Sequence, residues 1–113
     1  MTEPALVFGR VVATFRAAED KTQGDYATEL GWDRSVLARI EVGRNDVSIA
    51  NVLDIEAMLI KHGLITTFGQ LVQVTSEVTA ELKARPKING DAPAVVDRIA
   101  GTVVDRWLQK RTA

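Results

Sequence analysis

The sequence predicts an all-α protein built from six helices. Apolar residues recur at the three- and four-residue spacing of amphipathic helices along most of the 113-residue chain. Side chains suited to cap the start of a helix precede several of these segments, and glycines follow several of them. Together these signals predict helices over about residues 6–19, 23–30, 34–42, 49–61, 67–84 and 93–110.

The first four helices have clear signals of their own. Phe8, Val11 and Phe15 lie on one face of the first helix. Asp25, placed three residues after a threonine, indicates a capping box at the start of the second. Caps are expected at the starts of the second, third and fourth helices, at Thr22, Asp33 and Ser48.

The C-terminal half has weaker signals. Residues 67–84 fit a helix, but the β-branched residues at 71–75 leave a strand as an alternative there. The segment PKINGDAP, residues 86–93, predicts a turn or a short linker because of its prolines and its Asn-Gly pair. Residues 93–110 then predict a last amphipathic helix.

Composition excludes several classes of protein. The chain has no cysteine and a single histidine, His62, which excludes thiol chemistry and a histidine metal cluster. No apolar run approaches the roughly 18 residues of a membrane helix, so we expect a cytoplasmic protein without a membrane partner. Since the sequence also lacks a glycine-rich phosphate loop and an evident carboxylate pair, we predict a non-enzyme without cofactor or metal.

The charge of the chain does not by itself favour nucleic acid. The net charge is −1, with −3 over residues 1–62 and +2 over residues 63–113. Overall attraction to phosphate would therefore be weak. A nucleic-acid function has to depend on where individual charges are placed.

The stretch QGDYATELGWDRSVLARIEVGRN, residues 23–45, has a glycine in the middle of what otherwise fits one amphipathic helix. Gly31 ends the second helix, because glycine takes the left-handed conformation without strain. Two helices of about eight residues are then joined by a short turn, and the small Ala27 lies where they cross. Both helices are expected to pack against the rest of the protein through five apolar residues: Tyr26, Leu30, Trp32, Leu37 and Ile40. The pattern predicts a helix-turn-helix unit.

This region resembles the DNA-binding domains of lambda-repressor-like (Cro/C1-type, XRE family) transcriptional regulators. The resemblance runs from about residue 8 to residue 59. Its marks are Arg16, the entry at Thr22–Ala27, Gly31, and the run Ser35–Gly43 with its Ile-Glu-Val-Gly ending. It implies a compact bundle of five helices, to which this sequence adds the C-terminal amphipathic helix.

The resemblance implies that the third helix, residues 34–42, lies in the major groove of DNA and reads base edges. The positions carried over for base contact are Arg34, Ser35, Ala38 and Arg39. Arg34 suits guanine, since a guanidinium fork matches the two acceptors on the major-groove edge of that base. The alternative is that both arginines are ordinary solvated helix residues.

Further residues are expected to contact the DNA backbone or to support the motif. The phosphate contacts implied are Gln23, Arg44, Asn45 and Ser48, which position a protein without reading sequence. A solvated turn is the alternative for residues 44–45. The resemblance also implies a partly buried, structural ion pair between Arg16 and Glu41. His62 is expected to be a C-terminal cap residue.

These expectations divide the chain into a helix-turn-helix domain over residues 1–72 and a helical extension over residues 73–113. The apolar face of the extension needs a partner, which is its own headpiece, a second copy or another protein. We favour a homodimer, because two headpieces would read half-sites roughly 34 Å apart. The dimerisation residues expected are Val95, Ile99, Val103 and Trp107.

The sequence therefore predicts a transcriptional regulator, with repression favoured, that binds a palindromic operator in double-stranded DNA as a homodimer. The alternative is an antitoxin-like protein that autoregulates its operon and binds a partner protein through its C-terminal tail.

Overall fold

A computed structural model describes residues 3–44, 47–85 and 93–112, and every regular element within those ranges is an α-helix. The six helices are α1 Pro4–Ala18, α2 Gln23–Leu30, α3 Arg34–Glu41, α4 Ile49–Lys61, α5 Gln70–Ala84 and α6 Pro93–Thr112. The all-α prediction is confirmed, and residues 71–75 form part of α5, not a strand. Of the turn predicted at 86–93, residues 86–92 lie outside the described ranges.

α1 is the central helix of the bundle. It packs against α3, α5 and α6, while α2 packs against α3 and α4. Val11, Val12 and Phe15 on α1 are completely buried and join apolar side chains from all the other helices in one hydrophobic cluster. The domain boundary expected between residues 72 and 73 falls inside α5, and the core continues across it.

α2 begins with the capping box that the sequence predicts. Thr22 Oγ1 accepts a hydrogen bond from the Asp25 N–H at 3.0 Å, and the Asp25 carboxylate accepts one from the Thr22 N–H at 2.8 Å. The hydrogen bonds from Thr22 hold the pKa of Asp25 below its ordinary value, so its carboxylate is ionised at the positive end of α2.

Gly31 separates α2 from α3, as predicted. Its φ of 73° lies in the left-handed region, and the next N–H, of Trp32, donates to the Ala27 carbonyl at 2.9 Å. Asp33 then caps α3, because its carboxylate accepts from the Ser35 N–H at 2.8 Å. A residue with a Cβ would be strained at this φ, so the glycine allows the chain to turn into α3.

α1 and α3 contact each other backbone to backbone at Gly9. A Cβ on Gly9 would lie 2.1 Å from the carbonyl oxygen of Ile40 and 2.9 Å from the carbonyl carbon of Glu41. The adjacent Arg10 donates from Nη1 to the Glu41 carbonyl at 3.1 Å. The C-terminal end of α3 is therefore held directly on α1, at a distance that only glycine permits.

α5 begins three residues later than the sequence predicts, because a buried side chain from α4 caps it. The Glu56 carboxylate, which is 1% exposed, accepts from the N–H groups of Gly69 at 2.7 Å and Leu71 at 3.0 Å. An anion at the start of a helix is favoured by the helix dipole. Phe68 precedes the helix and is 59% exposed.

α6 packs on its own chain, against α1 and α5. Of the four residues expected to form a dimer interface, Val103 is completely buried in the core. Val95, Ile99 and Trp107 are half-buried against the same core. The partner of this apolar face is thus the headpiece of the same chain, one of the three partners that the sequence left open.

Glycine-to-alanine substitutions at Gly9 and Gly101 should have opposite effects on stability, because a Cβ is blocked at Gly9 and unobstructed at Gly101. Gly9→Ala should lower the free energy of unfolding by about 1–3 kcal/mol, because the added methyl overpacks the α1–α3 contact. Gly101→Ala is the matched control: Gly101 lies within α6 with nothing near its Cβ position, so alanine should add about 0.5–1 kcal/mol. Urea denaturation measures both, and a Gly9→Ala variant as stable as the native chain would contradict the packing described.

Candidate nucleic-acid interface

One face of α3 is free of contacts with the rest of the protein. Arg34, Ser35 and Arg39 are exposed, and Ala38 between them is half-buried. The opposite face carries the completely buried Leu37 together with Ile40 and Glu41. The four residues expected to read bases thus lie on the outer side of a helix whose inner side is fixed in the core.

A buried carboxylate holds the inner side of α3. Glu41 is 1% exposed, and both of its oxygens are bound by Arg16 of α1, at 2.9 Å from Nε and 2.8 Å from Nη2. The Gln23 amide, at the start of α2, donates to Oε1 of the same carboxylate at 2.9 Å. Glu41 therefore connects the first three helices at one point.

The arginine in this network is itself constrained. Its Nη1 donates to the Lys21 carbonyl at 3.0 Å, so Arg16 also fixes the loop between α1 and α2. The hydrogen bonds to Glu41 raise the pKa of Arg16, which keeps the guanidinium charged. A buried carboxylate without this partner would be uncompensated, which costs about 3–5 kcal/mol.

The residues expected at the DNA backbone are placed differently from one another. Arg44 is exposed just beyond α3. The hydroxyl of Ser48 is occupied in capping α4, accepting from the Asn51 N–H at 3.0 Å. Gln23 points its amide nitrogen at Glu41, so part of its hydrogen-bonding capacity supports α3 from within the protein. Asn45 lies outside the described residues.

The start of α3 carries a negative charge. Hydrogen bonds from Ser35 hold the pKa of Asp33 below its ordinary value, so this carboxylate is ionised beside the exposed face. It also occupies the Ser35 N–H. The cations that the exposed face of α3 offers to an anionic partner are Arg34 and Arg39.

A second charged cluster, formed around His62 at the end of α4, was not expected from the sequence. His62, at the end of α4, has Nδ1 2.9 Å from a Glu19 oxygen and Nε2 2.8 Å from a Glu29 oxygen. Tyr26 donates its hydroxyl to Glu19 and lies edge-on to the histidine ring, with 6.0 Å between ring centroids. The ammonium of Lys61 lies 3.7 Å from Glu29. The partners of His62 are 43 and 33 residues away in sequence, so no local pattern indicates them.

The histidine cluster requires a charged imidazole. A neutral ring has one N–H, but both ring nitrogens of His62 face carboxylate oxygens. The hydrogen bond to Glu19, followed by that to Glu29, raises the pKa of His62 although burial opposes it. Burial raises the pKa of the Tyr26 phenol, which stays a neutral donor. The expectation of a simple cap residue is incomplete: His62 does end α4, and its side chain also links α1, α2 and α4.

Within residues 3–44, 47–85 and 93–112, no group of three or more His, Cys, Asp or Glu side chains is arranged so that it could hold a metal ion. In the same ranges no helix has the length and apolar character needed to cross a bilayer. Comparison of the chain with protein-family models, with curated proteins and with solved structures returns no match.

The His62 cluster predicts a pH dependence of stability. Because folding raises the pKa of His62, the pairing stabilises the fold fully below about pH 6.5, the ordinary histidine value. This contribution is lost as the pH rises through the raised pKa. His62→Gln cannot become charged, so the stability difference between the native chain and this variant should shrink as the pH rises above about 6.5 and through the raised pKa of His62.

The same pKa is directly measurable by NMR, since His62 is the single histidine of the chain and gives one set of imidazole resonances. The expected result is a titration midpoint above about 6.5. A midpoint at or below that value would show that the two carboxylates do not pair with the ring in solution.

Proposed function

We propose that this protein is a sequence-specific regulator of transcription that binds double-stranded DNA through α3. The arrangement proposed is a lambda-repressor-like helix-turn-helix, in which α2 and α3 form the motif and α3 enters the major groove. The main observation behind the proposal is that α3 has one exposed face and one buried face. Arg34, Ser35 and Arg39 are exposed, while Leu37, Ile40 and Glu41 are buried.

The geometry of the motif supports this proposal. Two eight-residue helices are joined through a left-handed glycine, and the second begins with a capped, fully formed first turn. A rigid helix presents its side chains to a groove with little loss of conformational entropy on binding. The Glu41 network and the Gly9 contact supply that rigidity from the side of α3 that faces away from the groove.

The distribution of charge supports DNA over an uncharged partner. Three arginines, Arg34, Arg39 and Arg44, are exposed on α3 and directly after it, although the chain as a whole carries a charge of −1. Guanidinium groups bind guanine edges and phosphates, often with two hydrogen bonds. With so few cations per headpiece, two headpieces on a palindromic site would double the phosphate contacts, which favours a homodimer.

Selection of bound duplexes from a random pool, with the full chain, tests the proposal and gives the site. We expect a twofold-symmetric site with half-sites about 34 Å apart. On that site, Arg34→Ala and Arg39→Ala should each lose about 1–3 kcal/mol of binding free energy, with relaxed preference at one base position per half-site for Arg34→Ala.

Arg98→Ala is the matched control, since Arg98 is exposed on α6 and the substitution removes the same charge. It should leave the affinity unchanged. Recovery of no preferred sequence, or equal losses for Arg98→Ala and Arg34→Ala, would contradict the assignment of α3 as the reading helix.

A further inference from the structure

α4 is apolar around most of its circumference. Nine of its thirteen residues are Ala, Val, Leu, Ile or Met. One side, which includes Ile55 and Leu59, is completely buried in the core. On the other side Ile49 is 79% exposed and Leu53 is 45% exposed. A helix that is apolar on all sides is normally covered on all sides, so the outward side lacks a partner within the chain.

The exposed residues of this side form one continuous surface, which we call the outer α4 face. It consists of Ile49, Ala50, Leu53 and Ala57, with the charged Asp54 and Lys61 along one edge. At 100° per residue the four apolar members fall within a sector of about 100°, and the two charged residues follow directly beside it. Lys61 lies 3.7 Å from Glu29 of the same chain and remains 76% exposed, so it is free to pair outward.

The C-terminal helix does not offer an equivalent surface. The apolar residues of α6 lie on or against the core of their own chain. Over residues 93–110 its exposed residues are polar apart from Pro93 and Ala94, and include Asp97, Arg98, Thr102, Asp105 and Arg106. Self-association of this chain therefore has to use a different element from the one that the sequence favoured.

We propose that the outer α4 face binds the same face of a second copy of this chain, with the two helices antiparallel around a twofold axis near Ala57. The proposal rests on the homodimer of the proposed function and names its surface. Asp54 lies three residues before Ala57 and Lys61 four residues after it, about 5–6 Å along the helix on either side. Antiparallel pairing places Asp54 beside the second copy's Lys61, and the symmetric pair forms at the other end.

The side chains near the axis fit a close helix–helix contact. Ala57 is small enough for the two helices to approach to about 8–10 Å, the usual interaxial distance. Leu53, about 6 Å from the axis, then lies level with the second copy's Lys61 and covers its aliphatic stem, while Ile49 extends past the end of the second copy's α4. Opposite charges at the ends disfavour the parallel arrangement, which would place Asp54 beside Asp54 and Lys61 beside Lys61.

The size of the surface indicates a weak dimer. A helix of thirteen residues is about 20 Å long, and its single face is smaller than the roughly 800 Å² per partner of a stable complex. We therefore expect a dimer that dissociates in the micromolar range without DNA.

Sedimentation velocity of the full chain without DNA, from about 1 μM to about 300 μM, tests the proposal. The native chain should pass from monomer to dimer over this range, and Leu53→Lys, which places a second cation beside the second copy's Lys61, should raise the dissociation constant at least about tenfold. Val72→Lys is the matched control, because Val72 is 49% exposed on α5 and also changes from an apolar side chain to lysine. It should leave the dissociation constant unchanged.

A charge exchange tests the antiparallel pairing. Asp54→Lys and Lys61→Asp should each weaken the dimer about tenfold, and the two together should restore most of the association. Asp105→Lys, on the exposed side of α6, should have no effect. Thermal unfolding of every variant confirms that the monomer is folded.

Three results would overturn the proposal: a monomer at every concentration, dissociation by Val72→Lys but not by Leu53→Lys, or no recovery in the double charge exchange. A dimer that binds no DNA would contradict the proposed function and leave this surface in place. A monomer that still selects a DNA site would contradict this surface alone.

Discussion

The structure depends on one buried carboxylate. Glu41 ends α3 inside the protein, where its two oxygens are bound by Arg16 from α1 and Gln23 from α2. An ionised group in the interior is tolerated only when it is paired and hydrogen-bonded, so these three residues have to adopt one mutual arrangement. That arrangement sets the angle between α2 and α3, and hence the direction in which the exposed arginines of α3 point.

Contacts outside the Glu41 network hold the same helices in place. Gly9 lets α1 approach the end of α3 to backbone contact, and Arg10 extends the same contact toward α6 through Asp97, 2.5 Å from its Nε. α6 covers α1 and α5, which completes the core around the central helix. His62 joins α4 to α2 and to Glu19 at the end of α1. α3 is consequently held on its inner side by packing, by an ion pair and by backbone contact, while its outer side is free.

The sequence predicts the helices well and their tertiary partners poorly. The turn at Gly31 and the caps at Thr22, Asp33 and Ser48 were predictable because each depends on residues two to five positions apart. The partners of Gly9, Glu56 and His62 lie 13 to 43 residues away in the sequence, and no periodic pattern of residues indicates them. Likewise the apolar stripe of α6 indicates that a partner exists but not that the partner is α1 of the same chain.

The central claim, that Arg16 and the buried Glu41 form a pair that joins α1 to α3, is tested most directly by a double-mutant cycle in urea denaturation. Arg16→Met should lower the free energy of unfolding by about 3–5 kcal/mol, since it leaves the buried Glu41 carboxylate unpaired. Glu41→Met should cost less, since Arg16 is partly exposed. The double variant should recover much of this loss, because two apolar side chains of similar length replace the pair. Losses below about 1 kcal/mol for both single variants, as for a solvent-exposed pair, would contradict the account.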